Sequence, residues 1–467
     1  MTQSERATTN PLTDERIVVR EFISDLAGST SLDILRSLDE GAKTASTIAQ
    51  SGEITRQTVS KHLVQLTDLG LTKTADTGGY ELTAGGKITL EAFESCPDGL
   101  DREPLTQLTR SEHTIPLLQT LAEQPSRPSE LVDITNGSPS RATVRRALRM
   151  FETEGWSVES DGVHRLTPAG QQTVERYEEL AETIEQVLDK APWFQRLNPI
   201  RTDIPVRALA DAKLYVSSPH SPGIVLATAL KLCDPRLDPF RVLTSIFNPT
   251  LFSAYNKLLK LGLKGEAIVD ASLYQRLHEE EMEYFLDDSN YDNFQIFCLD
   301  EPLTLGIGIY DKEQIAVGAY NKTGEGEHIA MILSSNEAVV QWGEDLYNQY
   351  QKQARDPAEP TRLPPDERER RPERRQFDPE QVSERRHRQR RSVDGDGEVT
   401  RHAQSRAGTE AVLDLREGSA GGGPRLTHGS QSCSVVVILR VPSISQWACS
   451  ASSPALLGTA TSMSSNS

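Results

Sequence analysis

Cysteine is scarce in this chain of 467 residues. Its five positions, Cys96, Cys233, Cys298, Cys433 and Cys449, are far apart and never form a C-x-x-C pair. That spacing excludes a zinc finger and a secreted disulfide scaffold, and a reduced cytoplasm is the expected home. Long apolar runs are missing as well. The N-terminal MTQSERATTNPLTDER has no apolar core, and the longest apolar run near the end, Val435 to Leu439, is broken by Arg440 and Pro442. Neither a signal peptide nor a membrane span is expected. Hydrophobic residues make up 36%, too few for one compact body, so several domains and some unfolded chain are expected.

Positive charge is also in short supply, with 50 Lys+Arg against 68 Asp+Glu. Residues 356–467 hold 16 Arg, 15 acids and no Lys, leaving 34 bases against 53 acids, a charge of −19, in the first 355 residues. So acidic a surface argues against a general nucleic-acid coat or an anionic-membrane binder, and it fits a high-salt (halophilic) cytoplasm. Any DNA contact has to come from a local basic patch.

Catalytic sets are absent too. The nine histidines include no H-x-K pair and no metal-ligand spacing. The run His278 to Glu281 is H-E-E-E, without the second His of a zincin helix, and its glutamates read as a solvated acidic face. Gly306 and Gly308 give a bare G-x-G inside a β-hairpin rather than before a helix. His220 reads as a loop residue. An enzyme, a metal site and a cofactor are therefore not expected.

What the sequence does contain is an internal repeat. TRQTVSKHLVQLTDLGL from Thr55 aligns with SRATVRRALRMFETEGW from Ser140, and LTAGG at Leu82 with LTPAG at Leu166. Matching caps, core positions and closing glycines at offsets of 85 and 84 indicate two copies of one unit. In copy one, helices are predicted over Ser31 to Leu38, from Thr44 to near Gln50, and from Thr55, with Val59, Leu63 and Leu66 as the buried stripe and Gly70 as the stop. Two short strands joined through Gly78 and Gly79 follow. Copy two repeats this: helices over Ile115 to Ala122, Pro128 to Ile134 and Ser140 to Glu154, a turn at Asn136 and Gly137, and a hairpin through Asp161 and Gly162. Three helices and a hairpin make a winged helix-turn-helix.

The third helix of such a unit fits the DNA major groove, where Arg reads guanine and Gln reads adenine while Ser, Thr and Lys hold phosphates. Candidate DNA-binding residues are Arg56, Gln57, Ser60 and Lys61 in copy one, and Ser140, Arg141, Arg145, Arg146, Arg149 and Arg165 in copy two. Lys73, Thr74 and His164 join Arg165 as wing positions. From Ser138 to Met150 there are four arginines and no acid, a local excess that a solvated face does not require. The alternative is a winged-helix adaptor that docks on other transcription proteins without reading bases.

Residues from Gln172 to Lys190 form a helical stripe at Val174, Tyr177, Ala181, Ile184 and Leu188, suited to a linker or to pairing with a second chain. Strands and helices then alternate from Leu214, through a hairpin of LTLGIGIYD and QIAVGAYN, to a last helix over Asn336 to Arg355. This order, closing on VVQWGEDLYNQYQKQA with Trp342, Glu344, Leu346, Tyr347 and Tyr350, resembles archaeal, chiefly haloarchaeal, transcriptional regulators carrying the methanogenesis-regulatory (Fil regulator) middle domain. The resemblance covers residues 110–355. It implies a cytoplasmic regulator that binds double-stranded DNA as a homodimer, with a second domain for sensing a small-molecule effector or for dimerising, and it supplies no residue-level effector site.

The expected fold class is mixed α+β, with two tandem winged helix-turn-helix domains, a mixed α/β domain and a disordered tail. The expected limits are a disordered N-terminus over 1–19, winged helices over 20–100 and 101–171, a linker helix over 172–199, the α/β domain over 200–355 and the tail over 356–467. The tail carries RRPERR and RRHRQRR and reads either as native disorder or as an out-of-frame stretch of GC-rich sequence.

Overall fold

A computed structural model of the protein describes residues 5–52, 54–95, 102–134, 139–199, 203–277, 292–322 and 325–355. The expected tail, the turn at Asn136 and Gly137, and the H-E-E-E run lie outside the described residues.

The chain opens with β1 (Ala7–Asn10) and β2 (Glu15–Val18), an antiparallel hairpin. The expected disorder over 1–19 is thereby corrected for 7–18. The Asn10 side chain accepts from the Leu12 amide at 2.8 Å and donates to the Leu69 carbonyl at 3.2 Å. Arg6 reaches Glu185 at 2.7 Å. Leu69 and Glu185 are distant in sequence, so tertiary contacts rather than local propensity order the two polar strands.

Copy one consists of α1 (Val19–Gly28), α2 (Thr30–Asp39), α3 (Ala45–Ser51), α4 (Arg56–Asp68), β3 (Thr72–Thr74), β4 (Tyr80–Leu82) and α5 (Ala84–Glu94). Copy two consists of α6 (Arg102–Thr109), α7 (Thr114–Glu123), α8 (Pro128–Ile134), α9 (Arg141–Thr153), β5 (Ser157–Ser160), β6 (Val163–Leu166) and α10 (Pro168–Asp189). The caps fall where the sequence predicts them. Thr44, Thr55 and Ser140 accept from the amides three residues on, at 3.2, 3.1 and 3.3 Å. The stripes Val59, Leu63, Leu66 and Val144, Leu148, Phe151 are buried. Gly70 (φ 81°) and Gly155 (φ 72°) turn the chain out of α4 and α9 through the left-handed region that favours glycine. Backbone bridges from Lys43 to Tyr80 and from Ser126 to His164 add a third short edge to each wing.

The linker helix is continuous with copy two, because Thr167 caps it and Pro168 starts it. Its stripe of Tyr177, Ala181, Ile184 and Leu188 is buried within the same chain, where α10 packs on α5, α7, α1 and β1. As a dimer surface this stripe is therefore already occupied. The short helix α11 (Ala191–Phe194) follows, and Trp193 Nε1 donates to the Val317 carbonyl at 3.0 Å. A 3-10 helix, Val206–Asp211, leads into the second half.

The second half runs β7 (Lys213–Val216), α12 (Ile224–Leu232), β8 (Phe240–Thr244), α13 (Pro249–Lys260), β9 (Gly265–Asp270), α14 (Ala271–Leu277), β10 (Phe294–Leu299), β11 (Gly306–Tyr310), β12 (Gln314–Lys322), β13 (Glu325–Ser334) and a closing helix, Glu337–Gln353. The strands form one sheet in the order β10–β9–β8–β11–β12–β13–β7. β8, β9 and β10 are parallel, with Leu243 opposite Ile268 and Ile268 opposite Phe297; the other pairings are antiparallel. One face buries Phe240, Val242, Tyr310, Ala316 and Met331 with residues of α12 and α13. The other buries Leu243, Ile268, Ile307, Ile309, Ile315 and Val317 under the closing helix, in a core continuous with that of the winged helices. Ile307 and Val317 thus lie in the middle of the sheet, and the hairpin offers no dimer surface at these positions. Val340, Trp342 and Leu346 of the closing helix are buried in this core.

Candidate nucleic-acid interface

Helix α9 turns Val144, Ala147, Leu148 and Phe151 inward, and the roughly 100° advance per residue places Arg141, Arg145, Arg146 and Arg149 on its exposed face. Several other arginines of this acidic chain find carboxylates, among them Arg6 at 2.7 Å from Glu185, Arg36 at 3.0 Å from Glu94, Arg102 at 3.0 Å from Asp33 and Arg241 at 3.2 Å from Glu266. None of the four on α9 pairs with a carboxylate among the described residues; Arg149 Nε donates only to the Arg145 carbonyl, at 3.3 Å. The helix therefore presents guanidinium groups whose donors are open to a ligand rich in acceptors. Ser140 is exposed, but its hydroxyl is engaged as the cap of α9.

On α4, Arg56, Gln57 and Lys61 are exposed and Ser60 is half-buried. The run from Arg56 to Thr67 contains no acid. A residue the sequence reading passed over is Val64, 53% exposed on this face, where the repeat offset of 85 places Arg149 in copy two. Its position could have been found by aligning the outer faces of the two helices as well as their stripes.

The wings differ from expectation at one position. Arg165 is exposed on β6, but His164 is buried, its Nδ1 3.2 Å from Glu152 Oε1 without the alignment of a hydrogen bond. The expected DNA contact by His164 is thus corrected: alternation along β6, with Ser126 bridged at its flank, turns the imidazole toward α9. In copy one, Lys73 lies 3.3 Å from Glu81 and Thr74 is exposed.

A cleft of about 560 Å³ lies between α5, α10 and the 3-10 helix. Ile88, Leu180 and Val206 form buried parts of its wall, while Arg176, Glu179 and Arg207 bring charge to it. Among the described residues, no group of three His, Cys, Asp or Glu side chains is placed to hold a metal, and no helix is long and apolar enough to cross a membrane.

A basic helix in a winged scaffold, joined to a mixed sheet domain, is the arrangement of a helix-turn-helix regulator. Comparison with known families agrees. Residues 26–75 match a helix-turn-helix domain, residues 102–189 match the HVO_A0261 N-terminal domain, and residues 231–353 match the middle domain of the methanogenesis regulatory protein FilR1. These matches, each over less than half of the chain, are consistent with an archaeal helix-turn-helix transcriptional regulator that carries a FilR1-type middle domain. The second match begins at the first residue of α6 and ends at the last residue of α10.

Among curated proteins, none matches. Solved structures with local likeness include TrmBL2, an archaeal chromatin protein described as showing a novel mode of DNA binding, at 16% identity over 53% of this chain and 94% of that one, with a TM-score of 0.25. NucT from Helicobacter pylori shows 15% identity over 31% and 96%, also with a TM-score of 0.25. The phospholipase D family member Nuc from Salmonella typhimurium shows 15% identity over 31% and 97%, with a TM-score of 0.24. At these TM-scores the likenesses carry no functional argument.

Proposed function

We propose that the protein controls transcription by sequence-specific binding of double-stranded DNA, with α9 as the principal reader. The observation that carries this reading is the set of four exposed arginines on α9, none matched by a carboxylate among the described residues, in a chain of net charge −18. Arg146 and Arg149 are assigned to base edges, Arg141 and Arg145 to bases or flanking phosphates, and Arg165 on the wing to the backbone. An adaptor that only docks on proteins has little need for such a helix, since solvent and long-range repulsion would favour paired charges there.

The sheet domain is proposed as the sensing part. The cleft between α5, α10 and the 3-10 helix is a separate place for a small amphipathic effector, which would there touch both winged-helix copies and the segment that leads into the sheet domain. A homodimer would need surfaces other than the α10 stripe and the Ile307 and Val317 region. The deciding experiment is selection of bound sequences from a randomised duplex library by the full chain, followed by a binding titration. Recovery of a motif whose affinity drops in an Arg146→Ala, Arg149→Ala variant supports the reading; equal affinity for selected and random duplex rejects it.

A further inference from the structure

The two winged helices pack on each other in a way that tandem translation does not produce. The repeat extends further toward the N-terminus than its helix-turn-helix core: REFISDLAGS from Arg20 aligns with REPLTQLTRS from Arg102, at an offset of 82. In that frame Arg20 corresponds to Arg102, and Ala27 to Thr109. Arg20 Nη1 donates to the Thr109 carbonyl at 2.8 Å. Reciprocally, Arg102 donates to the Ala27 carbonyl through Nε and to the Ser29 carbonyl through Nη2. Each arginine thus caps the C-terminal end of the other copy's first helix.

The helices repeat the pattern. α1 packs on its counterpart α6, and α5 packs on its counterpart α10, with Gly85 of α5 against Val187 of α10. When residue i meets j′ and i′ meets j, the interface is isologous and the two units are related by a two-fold axis. A head-to-tail tandem would instead bring unlike elements together. The chain therefore contains, internally, the two-fold arrangement that helix-turn-helix dimers use to read two half-sites.

The two readers are nevertheless chemically unlike. At the repeat offset of 85, Arg56 corresponds to Arg141, but Gln57 corresponds to Ala142, Ser60 to Arg145, Lys61 to Arg146 and Val64 to Arg149. Glutamine bonds adenine N6 and N7, and an exposed branched apolar side chain suits the thymine methyl, whereas arginine suits guanine O6 and N7. We propose that the two copies act as an internal dimer, and that one chain binds one duplex through inverted, unlike half-sites, α4 taking an A·T-bearing element and α9 a G-bearing one. The proposal rests on the DNA-reading role given to α9 above and adds the symmetry, the stoichiometry and the second element.

The test uses the full chain. Sequences selected from a randomised duplex library are footprinted, and the complexes are sized by light scattering. The expected result is one chain per duplex, protecting two different elements about one helical turn apart, roughly 34 to 36 Å between centres. Reversing the orientation of one element should weaken binding roughly tenfold or more, because several base contacts are lost together. The Ser60→Arg, Val64→Arg double variant changes one half-buried and one exposed position of α4 and should shift the A·T-bearing element toward guanine, making the selected site more symmetric. Equal binding to direct and inverted arrangements overturns the internal dimer, as does protection of a single element or two chains on one duplex. A wild-type motif holding only the G-bearing element defeats this inference and leaves α9 as reader, whereas the loss of any sequence preference would remove the reading role itself.

Discussion

The hydroxyl of Thr83 donates to the Gly70 carbonyl at 2.7 Å while it accepts from the Gly86 amide at 3.0 Å. One side chain thereby ties the stop of α4 to the start of the helix after the wing. Thr167 makes the same pair of bonds to Gly155 and Gly170, at 2.7 and 3.1 Å. The L-T-x-[AG]-G strings of the repeat are thus a fastening of the wing to its helix, and the glycines sit where backbone meets backbone. A Cβ on Gly86 would lie 2.0 Å from the Leu71 carbonyl oxygen, and one on Gly170 would lie 2.1 Å from that of Trp156.

Replacing Thr83 or Thr167 by Val should cost about 1 to 2 kcal/mol each, through the lost cap and the unpaired glycine carbonyl. Gly86→Ala and Gly170→Ala should cost about 3 kcal/mol or more, because backbone rather than a flexible side chain has to move. Urea unfolding of the four variants checks the order. A glycine variant within experimental error of wild type would contradict the close approach.

Arg146→Ala should weaken binding to the selected duplex by about 1 to 3 kcal/mol and relax preference at one base pair, if the guanidinium makes a bidentate contact to guanine. Fluorescence anisotropy on selected and random duplexes separates the roles. Equal losses on both would reassign Arg146 to the phosphates, with a salt dependence shallower by about one counterion.

The elements that the sequence predicted share a local cause. Thr44, Thr55, Ser140 and Asn336 cap their helices through their own side chains, and Gly70 and Gly155 end theirs through φ. Helix α1 escaped notice because its N-cap is Val18, with no side-chain bond to announce a start. The kinship of α1 with α6 was hidden by an offset that drifts from 82 to 85 along the repeat, so one fixed shift aligns only its core. The β1–β2 hairpin depends on Asn10 reaching Leu69 and on Arg6 reaching Glu185, partners that no local window contains. The stripe of α10 was readable as buried, but whether a second chain or α5 covers it is decided by tertiary packing alone. In the interface, the outward turn of Arg141 to Arg149 followed from helical period, while the inward turn of His164 depended on strand register with Ser126 and Glu159.

Burial pushes the Tyr177 phenol up to about 12. In the unfolded chain it ionises near pH 10. The folded state holds the proton more tightly, so the stability linked to this group is complete below about pH 10 and is lost as pH rises from there through about 12. Tyr177→Phe should leave stability at pH 7 nearly unchanged and make the alkaline decline shallower. Tyr320 is also pushed up to about 12 by burial, but its hydroxyl accepts from the Ser245 amide at 3.2 Å. Tyr320→Phe should therefore cost about 1 kcal/mol at neutral pH as well. Urea unfolding at pH 7 and at intervals up to pH 11 distinguishes the two, and an unaltered alkaline slope in Tyr177→Phe would contradict its assignment.

Trp193 joins the halves of the protein. Fully buried beside Phe194, with ring centroids 5.0 Å apart, it donates from α11 to the Val317 carbonyl in β12. Because one apolar core runs from the winged helices through this junction to the closing-helix face of the sheet, wild type should unfold over residues 5–355 in a single thermal transition. Trp193→Phe keeps most of the packing but leaves the Val317 carbonyl without its partner, for an expected cost of about 1 to 3 kcal/mol. Trp193→Ala adds a cavity and should cost about 3 to 5 kcal/mol. If the junction holds the halves together cooperatively, the alanine variant should also split the calorimetric transition in two, the winged-helix body and the sheet domain melting apart. A single, uniformly shifted transition in Trp193→Ala would show that cooperativity is carried by the rest of the interface, through α10, the 3-10 helix and the closing helix, and not by this side chain.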